Sequence, residues 1–302
     1  MWKTVVFLLA TLVLVPILAY LFDTPPTDAQ MELMWPVIYT YLGLSTACFI
    51  VSSLSGNYSQ VDKLWSIAPI IYAWQMAYFS EWDERLVLMA ILISLWGIRL
   101  TYNFARRGGY SWKFWTGEED YRWAILSAKP EFQPGWKWQL FNLFFISFYQ
   151  MGLVMLITFP LVKASNGAEL NWADYLLAGI VLALIIIEFV ADNQQYQFQT
   201  EKYRRINAKE ELGEYAIGFL NKGLWGIVRH PNYAAEQAIW IAIYFFSVSA
   251  TGLWANWSIA GAVLLVLLFI GSSNFSEEIS ANKYPDYKNY QKKVPRFIPF
   301  LK

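Results

Sequence analysis

The sequence has few charged residues, a single cysteine and a single histidine. Only 15% of its 302 residues are charged, against roughly 25% in a soluble domain, and the positive and negative charges cancel. A net charge of zero gives no long-range field that attracts nucleic acid, so no nucleic-acid partner is expected. Because Cys48 is alone, an intrachain disulfide and any multi-cysteine metal site are excluded, and no metal site is predicted.

Motifs of soluble nucleotide-binding and hydrolytic enzymes are also missing. The chain contains no Walker loop, no GxGxxG after a strand, no HExxH and no GxSxG turn. Any nucleotide cofactor would therefore bind between helices.

What the chain has in abundance is hydrophobic residues, 57% of the total, and aromatic residues, 19%. Its 16 tryptophans and 19 tyrosines are typical of the aromatic belts at membrane–water boundaries. Since a transmembrane helix needs about 20 apolar residues, we predict an all-α, polytopic membrane helix bundle in which residues 1–302 form a single integral-membrane domain. About eight transmembrane helices are expected, at 4–22, 34–54, 64–80, 86–105, 138–162, 174–195, 233–252 and 256–273.

The distribution of basic residues predicts the orientation. With the N-terminus in the cytoplasm, the outer loops contain only Arg85 and Lys163, whereas the inner loops 106–137 and 196–232 contain six basic residues each. We therefore predict a multi-pass protein with both termini in the cytoplasm and an active site that faces the cytoplasm. Its other partners would be membrane lipids.

The single histidine lies in the segment Arg229-His230-Pro231-Asn232-Tyr233. Pro231 disfavours α geometry at His230 and suits the first turn of a helix, so a helix is predicted to begin at about Pro231. Asn232, Glu236 and Trp240 then fall on one stripe of that helix. An amide and a carboxylate just inside a membrane helix are expensive unless they bind something, which makes this stretch a candidate site.

A second polar segment ends the sixth predicted span. Glu188, Asp192 and Tyr196 are spaced to share one helix face. The functional interpretation is a polar wall for a bound ligand. The alternative is that the two carboxyl groups pair with Arg99 or share a proton.

A third polar segment ends the fourth predicted span, where Arg99, Asn103 and Arg106 share a face. Guanidinium groups suit phosphate oxygens, and Gly108-Gly109 would let the backbone approach a ligand. The alternative, anchoring by basic residues on the inner side, explains Arg106 but not the deeper Arg99.

The C-terminal tail and one early carboxylate complete the candidates. Glu277 ends the eighth span, and Tyr287 and Tyr290 share a face of a following helix that would close over a pocket. The alternative is an amphipathic interfacial helix with aromatic anchors. Asp62, at the start of the third span, is either a helix cap or part of a site.

The segment from Gly223 to Tyr233, followed by Glu236, resembles the C-terminal signature of the steroid 5-alpha-reductase-like membrane proteins. An uncharacterised bacterial and plant branch of that superfamily shares further motifs. These are Asp62-x-x-Trp65, the segment 95–101, Gln150-x-Gly152, Asp192-x-Gln194 and the tail from Glu277 to Tyr290. The resemblance covers roughly residues 55–300.

This resemblance implies a helical-bundle reductase that binds NADPH in a cytoplasm-facing cavity. Hydride would pass to an activated C=C bond of an apolar, lipid-like substrate such as a steroid, sterol or polyprenoid. Asp192, Asn232 and Glu236 would surround the cofactor, while Arg99 and Arg106 would meet its phosphates. The other cofactor contacts predicted in these segments are Asn103, Arg229, His230, Tyr233, Trp240, Glu277 and Tyr287.

The substrate half of the resemblance matches less well than the cofactor half. The steroid reductases have a Gln-Glu pair where this chain has only Asp62, and their tyrosine aligns with Trp96 or Tyr102. We predict Asp62 and Tyr102 as the acids that polarise the substrate.

The same His-Pro and tail motifs also resemble isoprenylcysteine carboxyl methyltransferases and phospholipid methyltransferases. Those enzymes bind S-adenosylmethionine with the His-Pro loop and the tail carboxylate, and the segment Val294–Pro299 reads closer to them. An S-adenosylmethionine-dependent lipid or isoprenylcysteine methyltransferase is therefore the alternative function. A non-catalytic lipid-binding membrane protein is the third, and the sequence predicts no oligomeric state.

Overall fold

The computed structural model describes residues 2–301, with side chains from Val6 onward, and this part of the chain contains helices and no strand. The all-α prediction is therefore confirmed for the described residues. The α-helices are α1 Trp2–Leu21, α2 Asp28–Ser55, α3 Gln60–Phe79, α4 Glu84–Ala105, α5 Tyr121–Ser127, α6 Gly135–Phe141, α7 Gln150–Leu156, α8 Pro160–Ala164, α9 Trp172–Ala208, α10 Leu224–Ile227, α11 Pro231–Thr251, α12 Ala260–Lys283 and α13 Tyr287–Lys293.

Five helical stretches of the described chain are long and apolar enough to cross a membrane. They support a multi-pass integral membrane protein. Helices also occupy the other three predicted spans, as α1, α3 and α11, so the count of eight and the orientation of the termini stay predictions. The five stretches are Asp28–Ser55, Glu84–Ala105, Gly135–Ala164, Trp172–Ala208 and Trp257–Lys283.

Helix α9 continues to Ala208, well beyond residue 195, which the hydropathy of the sequence predicted as its end. The run of polar residues that follows contains no glycine or proline before Gly213, so nothing in it breaks a helix. Arg205 Nε also lies 2.7 Å from Glu201 Oε1, one helical turn away. The first part of the predicted cytoplasmic loop 196–232 is therefore helix.

The fifth predicted span is irregular. Between α6 and α7 the chain forms a π-helix, Asn142–Tyr149, and Pro160 begins a new short helix after a break. Asn142 is fully buried and donates to Ser52 Oγ at 3.0 Å and to Ser53 Oγ at 3.1 Å. Its amide therefore finds its partners on α2, as a polar group inside a membrane bundle must.

The described chain divides into two compact units. Unit 1 contains the chain up to Val181 together with Trp240–Leu267, and unit 2 contains Leu182–Ile239 with the chain from Leu268 onward. Helices α9, α11 and α12 contribute residues to both units.

Helices α3 and α4 approach each other closely in unit 1. A Cβ atom on Gly97 would lie 2.5 Å from the carbonyl oxygen of Ser66, so only glycine fits there. The hydroxyl groups of Ser66 and Thr101 lie 2.7 Å apart across the same contact. The segment 95–101, singled out from the sequence, is thus explained in part by helix packing.

The two basic residues of the predicted outer loops are both buried in ion pairs. Arg85 donates to both carboxylate oxygens of Asp174, at 3.0 and 2.9 Å, and the two residues are 2% and 0% exposed. Lys163 Nζ lies 2.7 Å from Asp23, whose carboxylate also accepts the backbone N–H of Trp257 at 3.0 Å. These pairs fix the ends of distant helices of unit 1 together.

Replacing Arg85 by methionine leaves the Asp174 carboxylate buried without its cation. We expect Arg85→Met to lower the free energy of unfolding by about 3–5 kcal/mol. Thermal unfolding in one detergent, followed by circular dichroism, measures the loss. Lys222→Met is the matched control because Lys222 pairs with Glu214 in full contact with water, so its midpoint should barely move. Equal midpoints for the two variants would contradict the structural role of the buried pair.

Candidate functional site

The His-Pro segment, Arg229-His230-Pro231, is hydrogen-bonded through its backbone to the C-terminal tail that follows α13. The backbone N–H of Arg229 donates to the carbonyl of Pro295 at 2.8 Å, and that of His230 to the carbonyl of Arg296 at 3.1 Å. Helix α11 then begins at Pro231, as predicted from the sequence. These two backbone hydrogen bonds fix the path of the chain into α11.

The carboxylate of Glu277, on α12, is the centre of this arrangement. It accepts hydrogen bonds from Arg229 Nε at 2.7 Å, from Arg229 Nη2 at 3.2 Å and from Gln291 Nε2 at 2.8 Å. His230 Nε2 lies 2.9 Å from the same carboxylate, which is only 3% exposed. Arg229 Nη1 donates further to the carbonyls of Gln291, at 3.1 Å, and Val294, at 2.5 Å. Glu277, on α12, thus binds the His-Pro segment and Gln291 directly, and it holds the Arg229 side chain that contacts Val294.

Asp192 of α9 and Asn232 of α11 meet in unit 2. Asn232 Nδ2 donates to Asp192 Oδ1 at 3.2 Å, while Asn232 Oδ1 is buried without a hydrogen-bond partner. Glu188 and Glu236, each one helical turn from this pair on its own helix, are also buried. The structure therefore brings together two of the residues predicted around the cofactor, and it leaves an amide oxygen with unused hydrogen-bonding capacity.

The aromatic residues predicted in unit 2 are packed against one another. The ring of Tyr233 stacks on His230 with centroids 5.4 Å apart and contacts Phe269 at 4.5 Å. Tyr287 and Tyr290 share one face of α13, as predicted, and both pack on Phe219, at 4.9 and 5.2 Å. Burial raises the pKa of Tyr290 above its ordinary value.

The glycine that begins the signature permits a close contact with α9. Gly223 has a φ of 61°, and a Cβ atom there would lie 2.7 Å from Gln194 Oε1. The same Gln194 oxygen accepts the backbone N–H of Leu224 at 3.1 Å, and Trp225 Nε1 donates to the carbonyl of Ala191 at 3.0 Å. Gln194 therefore holds the signature segment on α9, a role that spacing along the chain did not reveal.

In unit 1, the polar residues at the end of α4 form their own cluster. Arg106 donates to Asn103 Oδ1 from Nε at 3.1 Å and from Nη2 at 2.7 Å, and its guanidinium lies 5.5 Å from the centre of the Tyr102 ring. Arg99 and Asn103 are buried, whereas Tyr102 is 54% exposed. The predicted shared face is confirmed for Asn103 and Arg106.

The two glycines after α4 let the following loop fold back on itself. A Cβ atom on Gly109 would lie 2.3 Å from the Phe104 ring, and one on Gly108 would lie 2.8 Å from the Glu118 side chain. The carbonyl of Gly108 also accepts the backbone N–H of Glu118 at 2.8 Å. The space at Gly108-Gly109 is therefore filled by the chain itself.

Asp62 lies in the first turn of α3 but does not cap it, because the capping position belongs to Ser59. The cap interpretation is therefore wrong. Asp62 Oδ2 instead accepts the indole N–H of Trp123 at 3.1 Å. Burial, reinforced by the nearby Asp120 carboxylate, raises the pKa of Asp62. Asp120 stays ionised because Arg122, at 2.9 Å, lowers its pKa despite burial.

Trp240, predicted as a cofactor contact, lies in unit 1. Its ring packs edge-to-face on Trp96 with centroids 4.9 Å apart, and both side chains are almost fully buried. Trp96, the alternative to Tyr102 at the family tyrosine position, is thus a core residue, while Tyr102 is not.

Neutralising Glu277 removes the charge that holds Arg229 and His230. We expect Glu277→Gln to destabilise the protein by about 3–5 kcal/mol, because the guanidinium of Arg229 would stay buried without its carboxylate. Hydrogen exchange of the Arg229 and His230 amides, which donate to the tail, should accelerate at the same time. Glu278→Gln is the matched control, since Glu278 is the adjacent residue and is exposed. Unchanged exchange at these amides in Glu277→Gln would contradict the role of Glu277 in holding Arg229 and His230 against the tail.

Comparison with known proteins places these motifs in a family. A protein-family model, described as a protein of unknown function (DUF1295), matches residues 48–294. An uncharacterised protein of Schizosaccharomyces pombe is 34% identical over 265 residues, which are 83% of this chain and 75% of the yeast protein. No solved structure matches the chain. The chain belongs to the DUF1295 family of membrane proteins, which is distantly related to the steroid 5-alpha-reductase-like proteins.

Proposed function

We propose that this protein is a membrane-embedded, NADPH-dependent oxidoreductase that reduces an activated C=C bond of a lipid-like substrate. The observation that carries the proposal is the Asp192–Asn232 pair of unit 2. It combines a buried carboxylate, an amide that donates to it and a buried amide oxygen with no partner.

These groups fit a dinucleotide. Ribose hydroxyls and the nicotinamide carboxamide offer N–H and O–H donors, which an unused amide oxygen and a carboxylate oxygen accept. A buried amide oxygen without a donor is costly, at about 1–3 kcal/mol, so a ligand that satisfies it gains that free energy on binding. The bound cofactor would supply the hydride.

The residues around the pair have supporting roles in this proposal. Glu277 holds Arg229 and His230, which directly precede the first turn of α11, where Asn232 lies. Glu277 is therefore proposed as a positioning residue. Tyr233, in the same turn of the helix, stacks on His230 and contacts Phe269.

The methyltransferase alternative gains less support from the same geometry. It would use the tail carboxylate to bind S-adenosylmethionine, but Glu277 already receives donors from Arg229, His230 and Gln291. A cofactor ammonium group would have to displace one of these donors.

The proposed acid of the reaction is Asp62. Its raised pKa keeps the carboxyl group protonated at a pH where an ordinary aspartate is ionised, and a protonated carboxyl group can donate to a developing enolate oxygen. Burial and the negative charge of Asp120 raise this pKa, whereas the hydrogen bond that Trp123 donates to Asp62 opposes the rise. Tyr102 is the other predicted acid, and its exposure makes it available to an apolar substrate that arrives from the lipid.

Calorimetric titration of the purified protein with NADPH and with S-adenosylmethionine distinguishes the first two functions. We expect binding of NADPH, and we expect Asn232→Ala to weaken it by about 1–3 kcal/mol because the buried hydrogen bonds to the ligand are lost. Asn289→Ala is the matched control, since Asn289 is an exposed amide on α13. Arg106→Gln tests the separate prediction that this arginine meets the phosphates.

The three outcomes of this titration are distinct. Binding of S-adenosylmethionine alone would favour the methyltransferase. If neither nucleotide binds, the third function, a non-catalytic lipid-binding protein, is favoured. Mass spectrometry of the small molecules that copurify in mild detergent identifies the lipid-like partner in each case.

The role of Asp62 predicts a pH dependence. Because the protonated form is the active one and its pKa is raised, the rate of NADPH oxidation with an enone lipid should be constant at low pH and fall as the pH rises through that pKa. Asp62→Asn should lose about 10²–10⁴-fold in rate, the usual contribution of a general acid, and should lose this pH dependence. An unchanged pH profile in Asp62→Asn would assign the acid elsewhere, with Tyr102→Phe as the next variant.

A further inference from the structure

The loop after α4 carries a group of large aromatic side chains that unit 1 does not cover. Trp112 is 104% exposed, and Phe114 and Trp115 are also exposed. Lys113, between them, is exposed as well. Exposed tryptophans and phenylalanines in one short segment mark a surface that meets something apolar.

The backbone of this loop is fixed by hydrogen bonds, so the exposure of its side chains is not the result of a flexible loop. The buried ammonium group of Lys63 donates to the carbonyls of Phe114 at 2.9 Å and Thr116 at 2.6 Å. Gln60 Nε2 donates to the carbonyl of Trp115 at 3.1 Å. The backbone is thus held by the first turn of α3, and the aromatic side chains are left to point away from it.

Further contacts place the loop beside the end of α2. Asn57, two residues after α2, donates to the carbonyl of Gly117 at 3.0 Å. Gly117 itself has a φ of 122°, and a Cβ atom there would lie 2.4 Å from the carbonyl oxygen of Gly109. The loop is therefore a tight, defined turn and not an extended excursion.

The position of the loop identifies its partner. Helices α2 and α4 are both long and apolar enough to cross a membrane, and the loop follows the end of α4 and is bound to the residues after the end of α2. A loop at the ends of two membrane spans lies at the level of the lipid headgroups. Tryptophan prefers this layer because its ring is apolar and its indole N–H is polar, and lysine there meets lipid phosphates.

We propose that the segment Trp112–Trp115 is an interfacial anchor that inserts its aromatic side chains into the headgroup layer of the lipid bilayer. The brace from Lys63, Gln60 and Asn57 fixes the depth of this insertion relative to α3. The anchor acts independently of any nucleotide, so it stands whether or not the protein is a reductase.

Fluorescence of a single attached probe tests the anchor. Trp112→Cys is labelled with an environment-sensitive dye in vesicles of phosphatidylcholine and phosphatidylglycerol. The native Cys48 is 1% exposed and should not react, which labelling of the unsubstituted protein checks. We expect blue-shifted emission that is quenched more strongly by a lipid spin-labelled near its glycerol end than by soluble iodide.

Ala208→Cys provides the matched control in water. Ala208 is the exposed last residue of α9, whose 37 residues extend about 55 Å at 1.5 Å per residue, beyond the roughly 30 Å hydrocarbon core. The control dye should be quenched mainly by iodide.

Two results would overturn the anchor. If the dye at residue 112 is quenched by iodide as strongly as the control, the loop lies in water. If it is shielded from both quenchers, the aromatic segment is covered by protein, such as a second copy of this chain, and not by lipid.

Discussion

The hydrogen bonds and the ion pair made by the Glu277 carboxylate are the interactions on which unit 2 depends. Glu277 lies on α12, yet its hydrogen-bond donors come from the His-Pro segment and from α13, parts of the chain that are 14 to 48 residues away. Arg229 Nη1 also donates to the carbonyls of Gln291 and Val294. The ion pair between Arg229 and Glu277 therefore also positions the tail. The segment that leads into α11, and with it the candidate site, is held by this single buried charge.

The same physical rule recurs through unit 1. Arg85 and Lys63 are buried cations, and each is surrounded by a carboxylate or by backbone carbonyls that meet its donors. Burying a charge without such partners is prohibitive, so the chain encloses each charge where the local geometry satisfies it. A neutral polar atom that is buried without a partner costs less than a charge but is still unfavourable. Asn232 Oδ1 is such an atom, beside the Asp192 carboxylate, and this is the physical reason to regard that residue as part of a candidate site.

Much of the helical framework could be predicted from composition and from proline. The positions of α2 and α4 could be predicted from apolar runs, and the start of α11 could be predicted from Pro231. The end of α9 could not be predicted from hydropathy, because residues 196–208 are polar and yet contain nothing that breaks a helix. Hydropathy predicts which part of a helix can lie in a membrane, whereas the full length of the helix also depends on where glycine and proline next occur.

The partners within the candidate site were largely hidden from the sequence. Spacing along one helix predicted the shared face of Asn103 and Arg106 and that of Tyr287 and Tyr290, since these residues are three apart. Trp123, which donates to Asp62 from 61 residues away, and Gln194, which holds Leu224, depend on tertiary packing that no local pattern encodes.

The two backbone hydrogen bonds from residues 229–230 to residues 295–296 also bear on how the protein can be handled. The tail accepts hydrogen bonds from the middle of the chain, so its removal would leave two backbone N–H groups and part of the Arg229 guanidinium without acceptors. Affinity tags and fluorescent fusions therefore belong at the N-terminus. A protease that trims the C-terminal residues would loosen the first turn of α11 before it cut any other helix.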